Sequence, residues 1–92
     1  MSKFAKGKSW IEQRLADDLE IDGVHFIVNL VARKGTGVQG YRVTVDYIPH
    51  DGTGGGAREL PQAASTADVH RVSRELAGDR AGLVALWRAP VA

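Results

Sequence analysis

The sequence predicts one small α+β domain, a two-layer sandwich in which two helices pack on one face of a three-stranded, mainly antiparallel sheet. Three observations support this fold class. Two neighbouring runs, residues 24–33 and 41–48, alternate their side chains with the period of two that strands show. A glycine-containing turn connects these runs. Apolar residues recur at helical spacing before and after them, so the predicted order is α-β-β-α-β.

The charges lie in blocks along the chain, although the net charge is only +1. Residues 1–8 carry three lysines without apolar periodicity, so we expect a flexible basic tail before a single domain at 9–92. Residues 9–22 hold five carboxylates and one arginine. This balance argues against a general polyanion binder and leaves room for a local basic patch.

A helix is predicted to begin at Ser9. Ser9 and Glu12 have the spacing of a capping box, in which each side chain bonds to the backbone amide of the other. The apolar residues that follow recur at i, i+4 and i+8, namely Ile11, Leu15 and Leu19. The Asp22-Gly23 pair closes the segment as a turn. An early strand is the alternative, because the odd-numbered apolar residues also fit a period of two.

The two central strands are predicted to form a tight hairpin. Gly35-Thr36 suits a two-residue type II′ turn, and such a turn fixes which residues face each other. The resulting pairs are Leu30 with Tyr41, Val28 with Val43, Phe26 with Val45, Val24 with Tyr47 and His25 with Asp46. All the apolar pairs then lie on one face, which we expect to form the core. The residues expected to be almost fully buried are Phe26, Val28, Leu30, Val43 and Val45.

The rest of the chain is predicted to hold a loop, a helix and a third strand. The glycine-rich residues 50–57 form a flexible loop, and residues 58–60 can add a short edge strand. Ser65 caps a second helix that ends at Gly78. The apolar run at 83–88 is predicted to be the third strand, antiparallel to the first strand and next to it.

No motif in the sequence demands a particular chemistry. Gly7-Lys8-Ser9 lacks the first glycine and the preceding strand of a phosphate-binding loop. The acidic run before Gly23 resembles the start of a calcium loop, but Asn29 stands where the closing glutamate is required. We therefore expect no catalytic residue, no metal, no cofactor and no small-molecule ligand.

Histidine and cysteine usage supports the same expectation. The three histidines do not have metal-ligand spacing, and the predicted His25 and Asp46 pair is typical of a sheet surface as well as of a general base. The chain has no cysteine, which excludes a disulfide framework and thiolate sites. No apolar run approaches the roughly 20 residues that span a bilayer, and no signal peptide is recognisable, so we expect a cytoplasmic protein without a membrane partner.

The leading functional hypothesis is a non-enzymatic protein-binding or regulatory module, such as an adaptor, an inhibitor or a subunit. Apolar residues interrupt the sheet face that should be polar, and a large aromatic residue is unusual in so small a core. The candidate contact residues are Ile27, Val31, Ile48 and Trp87. The partner would be another protein or, in a homodimer, a second copy of the chain. The size and composition would suit a bacterial or phage accessory protein.

Nucleic-acid binding is the alternative hypothesis. Basic residues occur in the tail, at the tip of the hairpin and on the second predicted helix, which are three points that could follow a phosphate backbone. The residues are Lys3, Lys6, Lys8, Arg33, Lys34, Arg71 and Arg74. The acidic first segment would repel phosphate, which makes this the second choice.

Overall fold

The computed structural model describes residues 10–35 and 39–89, which form four strands followed by two helices. The elements are β1 (Trp10–Ile21), β2 (Val24–Arg33), β3 (Tyr41–Pro49), β4 (Gly56–Ala63), α1 (Thr66–Ala77) and α2 (Arg80–Arg88). The sheet order is β1-β2-β3-β4, and each neighbouring pair is antiparallel. The predicted three-stranded sheet and the order α-β-β-α-β are therefore wrong. The predicted tail at 1–8 lies outside the described residues.

The first element is a strand, and the predicted helix at this position is wrong. β1 pairs with β2 from Trp10 opposite Arg33 to Ile21 opposite Val24. The Asp22-Gly23 turn has positive φ at both residues, 52° and 83°, as a type I′ hairpin turn requires. Residues at i, i+4 and i+8 also share one face of a strand, so the apolar spacing fits both elements. The hairpin turn and the pairing with β2 decide between them.

The hairpin of β2 and β3 keeps the predicted faces but not the predicted register. Leu30 faces Val45 and not Tyr41, and Phe26 faces Pro49 and not Val45. The strands end at Arg33 and Tyr41, so the connection is longer than the predicted two-residue turn. The shift is by an even number of residues, and each side chain therefore stays on its face. The buried set is confirmed: Phe26, Val28, Leu30, Val43 and Val45 are at most 4% exposed.

In the second half of the chain, the structure confirms the predicted helix after Ser65 and contradicts the predicted strand at 83–88. β4 includes the predicted edge strand at 58–60 and continues to Ala63. The Oγ of Ser65 accepts a hydrogen bond from the amide of Asp68, and α1 ends at Ala77 with Gly78 as its C-terminal cap, as predicted. The run at 83–88 belongs to a helix, α2, whose first turn is capped by the Asp79 carboxylate bonding the amide of Gly82.

Both helices pack on the face of the sheet that carries Val28 and Val45. Val69 of α1 and Leu83 of α2 are fully buried against this face. The hydroxyl of Tyr47 donates to the carbonyl of Leu83 at 2.7 Å, which joins β3 to α2. The opposite face of the sheet carries no helix among the residues that the structure describes. Neither described helix has the length and apolar character needed to cross a membrane.

Candidate protein-binding site

A groove lies between α1 and β4. Its volume is about 530 Å³. Its apolar lining comes from both elements and from the neighbouring strand: Val43, Leu60, Pro61, Ala63, Val72 and Leu76. We call this cavity the α1–β4 groove. Its size lies within the range of roughly 300 to 1,000 Å³ that is usual for ligand sites.

The groove exists because α1 is held towards the far side of the sheet. The side-chain amide of Gln13 in β1 donates to Nδ1 of His70 in α1 at 2.8 Å. Val69, next to His70, is fully buried in the core. Val72 and Leu76 lie one turn apart on the side of α1 towards β4, and they are only partly buried. The apolar side chains between α1 and β4 are therefore not covered by any of the described residues.

The rim of the groove carries more negative than positive groups. Its charged residues are Asp68, Arg71, Glu75 and Asp79. Arg71 lies 3.6 Å from the carboxylates of both Asp68 and Glu75, so a single guanidinium is shared between two acidic groups. These side chains are exposed, and their pairs are weak individually. The electrostatic potential at the rim favours a cationic ligand.

One wall of the groove is an edge strand with an irregular end. Among residues 10–35 and 39–89, β4 pairs only with β3 and lies at the end of the sheet. Leu60 faces Val43 and Ala63 faces Tyr41, so two residues of β4 oppose one residue of β3 between these pairs. Pro61 falls in this bulge, where its missing N–H interrupts no regular ladder.

Gly40 fixes the end of the groove. Its φ is +79°, and a Cβ there would lie 2.5 Å from the carbonyl oxygen of Ala63. Only glycine permits both the positive φ and this close approach to β4. The backbone at Ala63 and Ala64, which line the groove, is therefore held close to the start of β3.

The structure separates the contact residues that the sequence suggested. Ile27 faces Ile48 across the open face of the sheet, and Ile48 is 42% exposed. Val31 is buried, at 6% exposure. Trp87 lies on the other side of the sheet, where its ring contacts Phe26. Only the isoleucine pair is thus available as a shared surface.

Trp87 has a structural role in the folded domain. Its ring is 4.3 Å from the guanidinium of Arg58, and its carbonyl accepts two hydrogen bonds from that group, at 3.1 and 2.8 Å. Arg58 in β4 thereby satisfies a carbonyl at the end of α2 and places a positive charge where the helix dipole favours one.

The basic residues are divided between the two sides of the molecule. Arg33 and Arg42 face each other on the open face of the sheet, with the Arg33 guanidinium 4.9 Å from the Trp10 ring. Arg42 also pairs with Glu59 at 3.0 Å. Arg71 and Arg74 lie on α1, which packs against the opposite face. Lys34 follows β2, and Lys3, Lys6 and Lys8 lie outside the described residues.

The predicted pair of His25 and Asp46 does not form, because Asp46 faces Asn29. His25 instead bonds to Asp18 in β1, with Nδ1 and Oδ1 at 2.7 Å. This hydrogen bond raises the pKa of His25 and lowers the pKa of Asp18 from their ordinary values. His50 lies nearby, with its Nε2 3.9 Å from the same carboxylate oxygen.

The Asp18 cluster joins parts of the fold. The backbone carbonyl of Asp18 accepts a hydrogen bond from Arg80 of α2, and His50 bonds to the carbonyl of Asp17. Asp18 and its two histidines thus connect β1, β2, the end of β3 and α2. Within residues 10–35 and 39–89, no group of three or more histidine or acidic side chains is placed to hold a metal ion.

Sequence reasoning missed the α1–β4 groove. The sequence does contain two signs of this groove. Leu60-Pro61 is an apolar pair at the predicted edge strand, and Val72 and Leu76 belong to the apolar stripe of the helix that follows. The sequence does not encode how far α1 lies from β4, and that distance opens the groove. Comparison of the chain with known protein families, curated proteins and solved structures found no match.

Proposed function

We propose that this domain is a non-enzymatic protein-binding module, an adaptor, inhibitor or subunit, that holds an apolar segment of a partner protein in the α1–β4 groove. The observation that carries the proposal is an apolar groove of about 530 Å³ beside β4, the strand that ends the sheet among the described residues. The proposed place of action is the cytoplasm, as expected from a chain without cysteine.

The geometry supports a peptide segment as the ligand. The groove is open along β4, and its apolar lining is continuous with the core through Val43 and Ala63. Sites of this kind recur where an extended peptide meets the edge of a sheet: backbone bonds supply affinity, and pockets for alternate side chains supply specificity. The paired charges at the rim match the polar border of protein interfaces.

The proposal is tested with a library of random peptides displayed on phage and selected on the immobilised domain. The selected peptides are then titrated against two variants that each add a large ring to an exposed alanine. Ala64→Trp fills the groove, whereas Ala85→Trp stands on the exposed surface of α2, away from the groove and from β4. We expect Ala64→Trp to weaken binding by at least about tenfold and Ala85→Trp to leave it unchanged. Binding that survives Ala64→Trp, or a library that gives no binder, contradicts the proposal.

The open face of the sheet offers a second, smaller surface for the same class of function. The specific observation is the cross-strand pair of Ile27 and Ile48. A partner or a second copy of the chain on this face would lose affinity when Ile27 and Ile48 are changed to aspartate. Light scattering of this double variant and of the wild type shows whether a homodimer depends on that pair.

Nucleic-acid binding is the second candidate function. The observation that favours it is the Arg33 guanidinium over the Trp10 ring, with Arg42 on the paired position of β3, which combines cations with an aromatic surface. Removing residues 1–8 and changing Arg33 and Lys34 to alanine would then make the slope of log affinity against log salt shallower by roughly 4. A wild-type domain without affinity for duplex or single strands at low salt contradicts this candidate.

A further inference from the structure

We infer, resting on the proposed function, that the partner segment binds as a fifth strand on the outer edge of β4, with an apolar side chain in the α1–β4 groove and lysine or arginine residues flanking it. The occupant is thus an extended, cationic segment of another protein. Three features of the groove carry this inference.

The first feature is a row of apolar residues that ends at β4. Paired residues across the four strands place Ile11, Ala32, Val43 and Leu60 side by side on the helix-bearing face. A fifth strand would lie about 4.8 Å beyond β4 and place its own side chain next to Leu60. That position lies beneath Val72 and Leu76 of α1, whose partly buried side chains line the same groove. An apolar residue at that position would extend this row of apolar side chains and would cover Val72 and Leu76.

The second feature is the backbone of β4. Alternate residues of a strand direct their N–H and C=O groups to opposite sides, so an edge strand presents one set outwards. Within the described ranges, β3 is the only strand that pairs with β4, and no loop or helix backbone bonds to residues 56–63. The Ala57 carbonyl accepts a hydrogen bond from the Arg58 side chain at 3.1 Å, an exposed contact that an incoming strand could replace. We therefore infer that the stretch Gly56–Leu60 before the bulge accepts a further strand.

The third feature is the charge around the groove. Among the described residues that line the groove, three carry a carboxylate, Asp68, Glu75 and Asp79, and one carries a guanidinium, Arg71. A strand that carries basic residues beside its apolar residue would meet these carboxylates, and an acidic strand would be repelled.

The experiment uses synthetic peptides and the full chain. The probe is acetyl-Ser-Lys-Val-Leu-Val-Lys-Ser-amide with a fluorescent label, and its control has glutamate in place of both lysines. We expect the lysine peptide to bind at least about tenfold more tightly in fluorescence anisotropy, with a difference that shrinks as salt is added. Equal affinity of the two peptides overturns the inference, as does a lysine peptide that fails to bind at about 1 mM.

Backbone pairing is tested separately by N-methylation of the same peptide. One set of alternate residues would donate to β4 and the other would face away, so methyl groups on one set should weaken binding by about tenfold while the other set is tolerated. Equal tolerance of both sets excludes a fifth strand. The amide signals of Gly56–Leu60 should also shift more than those of β1 in NMR titrations.

Matched protein variants locate the charge effect. Glu75→Lys reverses a charge at the rim, and Glu20→Lys makes the same change on the exposed surface of β1. Only Glu75→Lys should weaken the lysine peptide, by several-fold. Equal effects of the two variants contradict the inference.

The outcomes separate this inference from the function on which it rests. The selected peptides could depend on the groove and yet show no preference for lysine and no effect of N-methylation. That result would contradict the inference of a cationic fifth strand and would still support the proposed function. Selected peptides indifferent to Ala64→Trp would end both. A wild-type dimer that Ala64→Trp dissociates would place a second copy in the groove, which also overturns the inference.

Discussion

The two edges of the sheet differ in how they are protected. The register of β1 against β2 shifts twice, between Arg14 and Ala16 and between Ala16 and Leu19, and bulges of this kind disturb an edge that another strand could join. The two carbonyls in this irregular part, those of Asp17 and Asp18, accept hydrogen bonds from His50 and Arg80.

β4 is protected much less. Its side-chain contacts with other elements run inwards, from Arg58 to α2 and from Glu59 to Arg42. A single bulge at its end is its only irregularity among the described pairs, and the α1–β4 groove opens directly beside it. In the part of the chain that the structure describes, bulges and hydrogen bonds thus protect the β1 edge, and the β4 edge has fewer such features, which is why we propose β4 as the binding edge.

Both edge strands pack on the same hydrophobic core, so we expect substitutions in that core to have the largest effect on stability. Val28→Ala or Leu30→Ala removes a fully buried side chain, and we expect the free energy of unfolding to fall by about 2 to 4 kcal/mol. Ile48→Ala, at an exposed position on the open face, is the control and should cost about 0.5 kcal/mol or less. Urea unfolding measures all three. If a core variant lost as little stability as Ile48→Ala, the assignment of Val28 and Leu30 to the buried face of the sheet would be wrong.

The glycines next to the two edges should differ in their tolerance of a side chain. Gly40→Ala combines a positive φ with a clash against Ala63 of β4, and we expect a loss of about 2 kcal/mol or more. Gly23→Ala, in the turn after β1, has a similar φ of +83° but open space around its Cβ, so we expect only about 1 kcal/mol. Equal losses in urea unfolding would mean that the close approach at β4 does not form.

The smallest effect should appear in the pH dependence of the β1 edge. The bond to Asp18 raises the pKa of His25 above its ordinary value of 6.5, so the charged pair stabilises the fold at lower pH. This stabilisation is complete below the unfolded pKa of His25 and is lost as the pH rises through its higher folded pKa. Because the pKa of Asp18 is lowered below 3.8, the same pair also weakens in strong acid.

The His25 contribution is measured by urea unfolding at about pH 5.5 and about pH 8.5, either side of the unfolded pKa of histidine. The wild type should lose a small part of its stability between these values, and His25→Ala should lose less. Asp18→Asn is the matched variant on the other side of the pair. An unchanged pH slope in both variants would contradict the pairing.

The faces of the central strands could be predicted from sequence, and their register could not. Alternation fixes the side on which Val28 and Val45 lie, and any even shift preserves it. The register depended on a turn assigned from Gly35-Thr36, and β2 and β3 are instead joined by the longer segment at 34–40. The Ser65 cap and the Gly78 end of α1 were predicted because each rests on a local hydrogen bond or backbone geometry.

Two elements were assigned to the wrong class for related reasons. The spacing of Ile11, Leu15 and Leu19 suits a helix and a strand equally, and the choice was made by pairing with β2. The apolar run at 83–88 is too short for its period to be clear, and the Asp79 cap with burial of Leu83 decides for a helix. The groove depends on the lateral position of α1, which the Gln13 and His70 bond helps to set across distant parts of the chain.

The meander order of the sheet has a consequence for how the chain folds. Each strand pairs with its immediate successor along the sequence, and β1 and β2 are joined by the two-residue Asp22-Gly23 turn. Contacts between neighbours in sequence require little loop closure, and such topologies fold faster than sheets of distant strands. Hairpins form in about 1 to 10 μs, so the β1–β2 hairpin should form early and the helices should dock on a sheet already assembled.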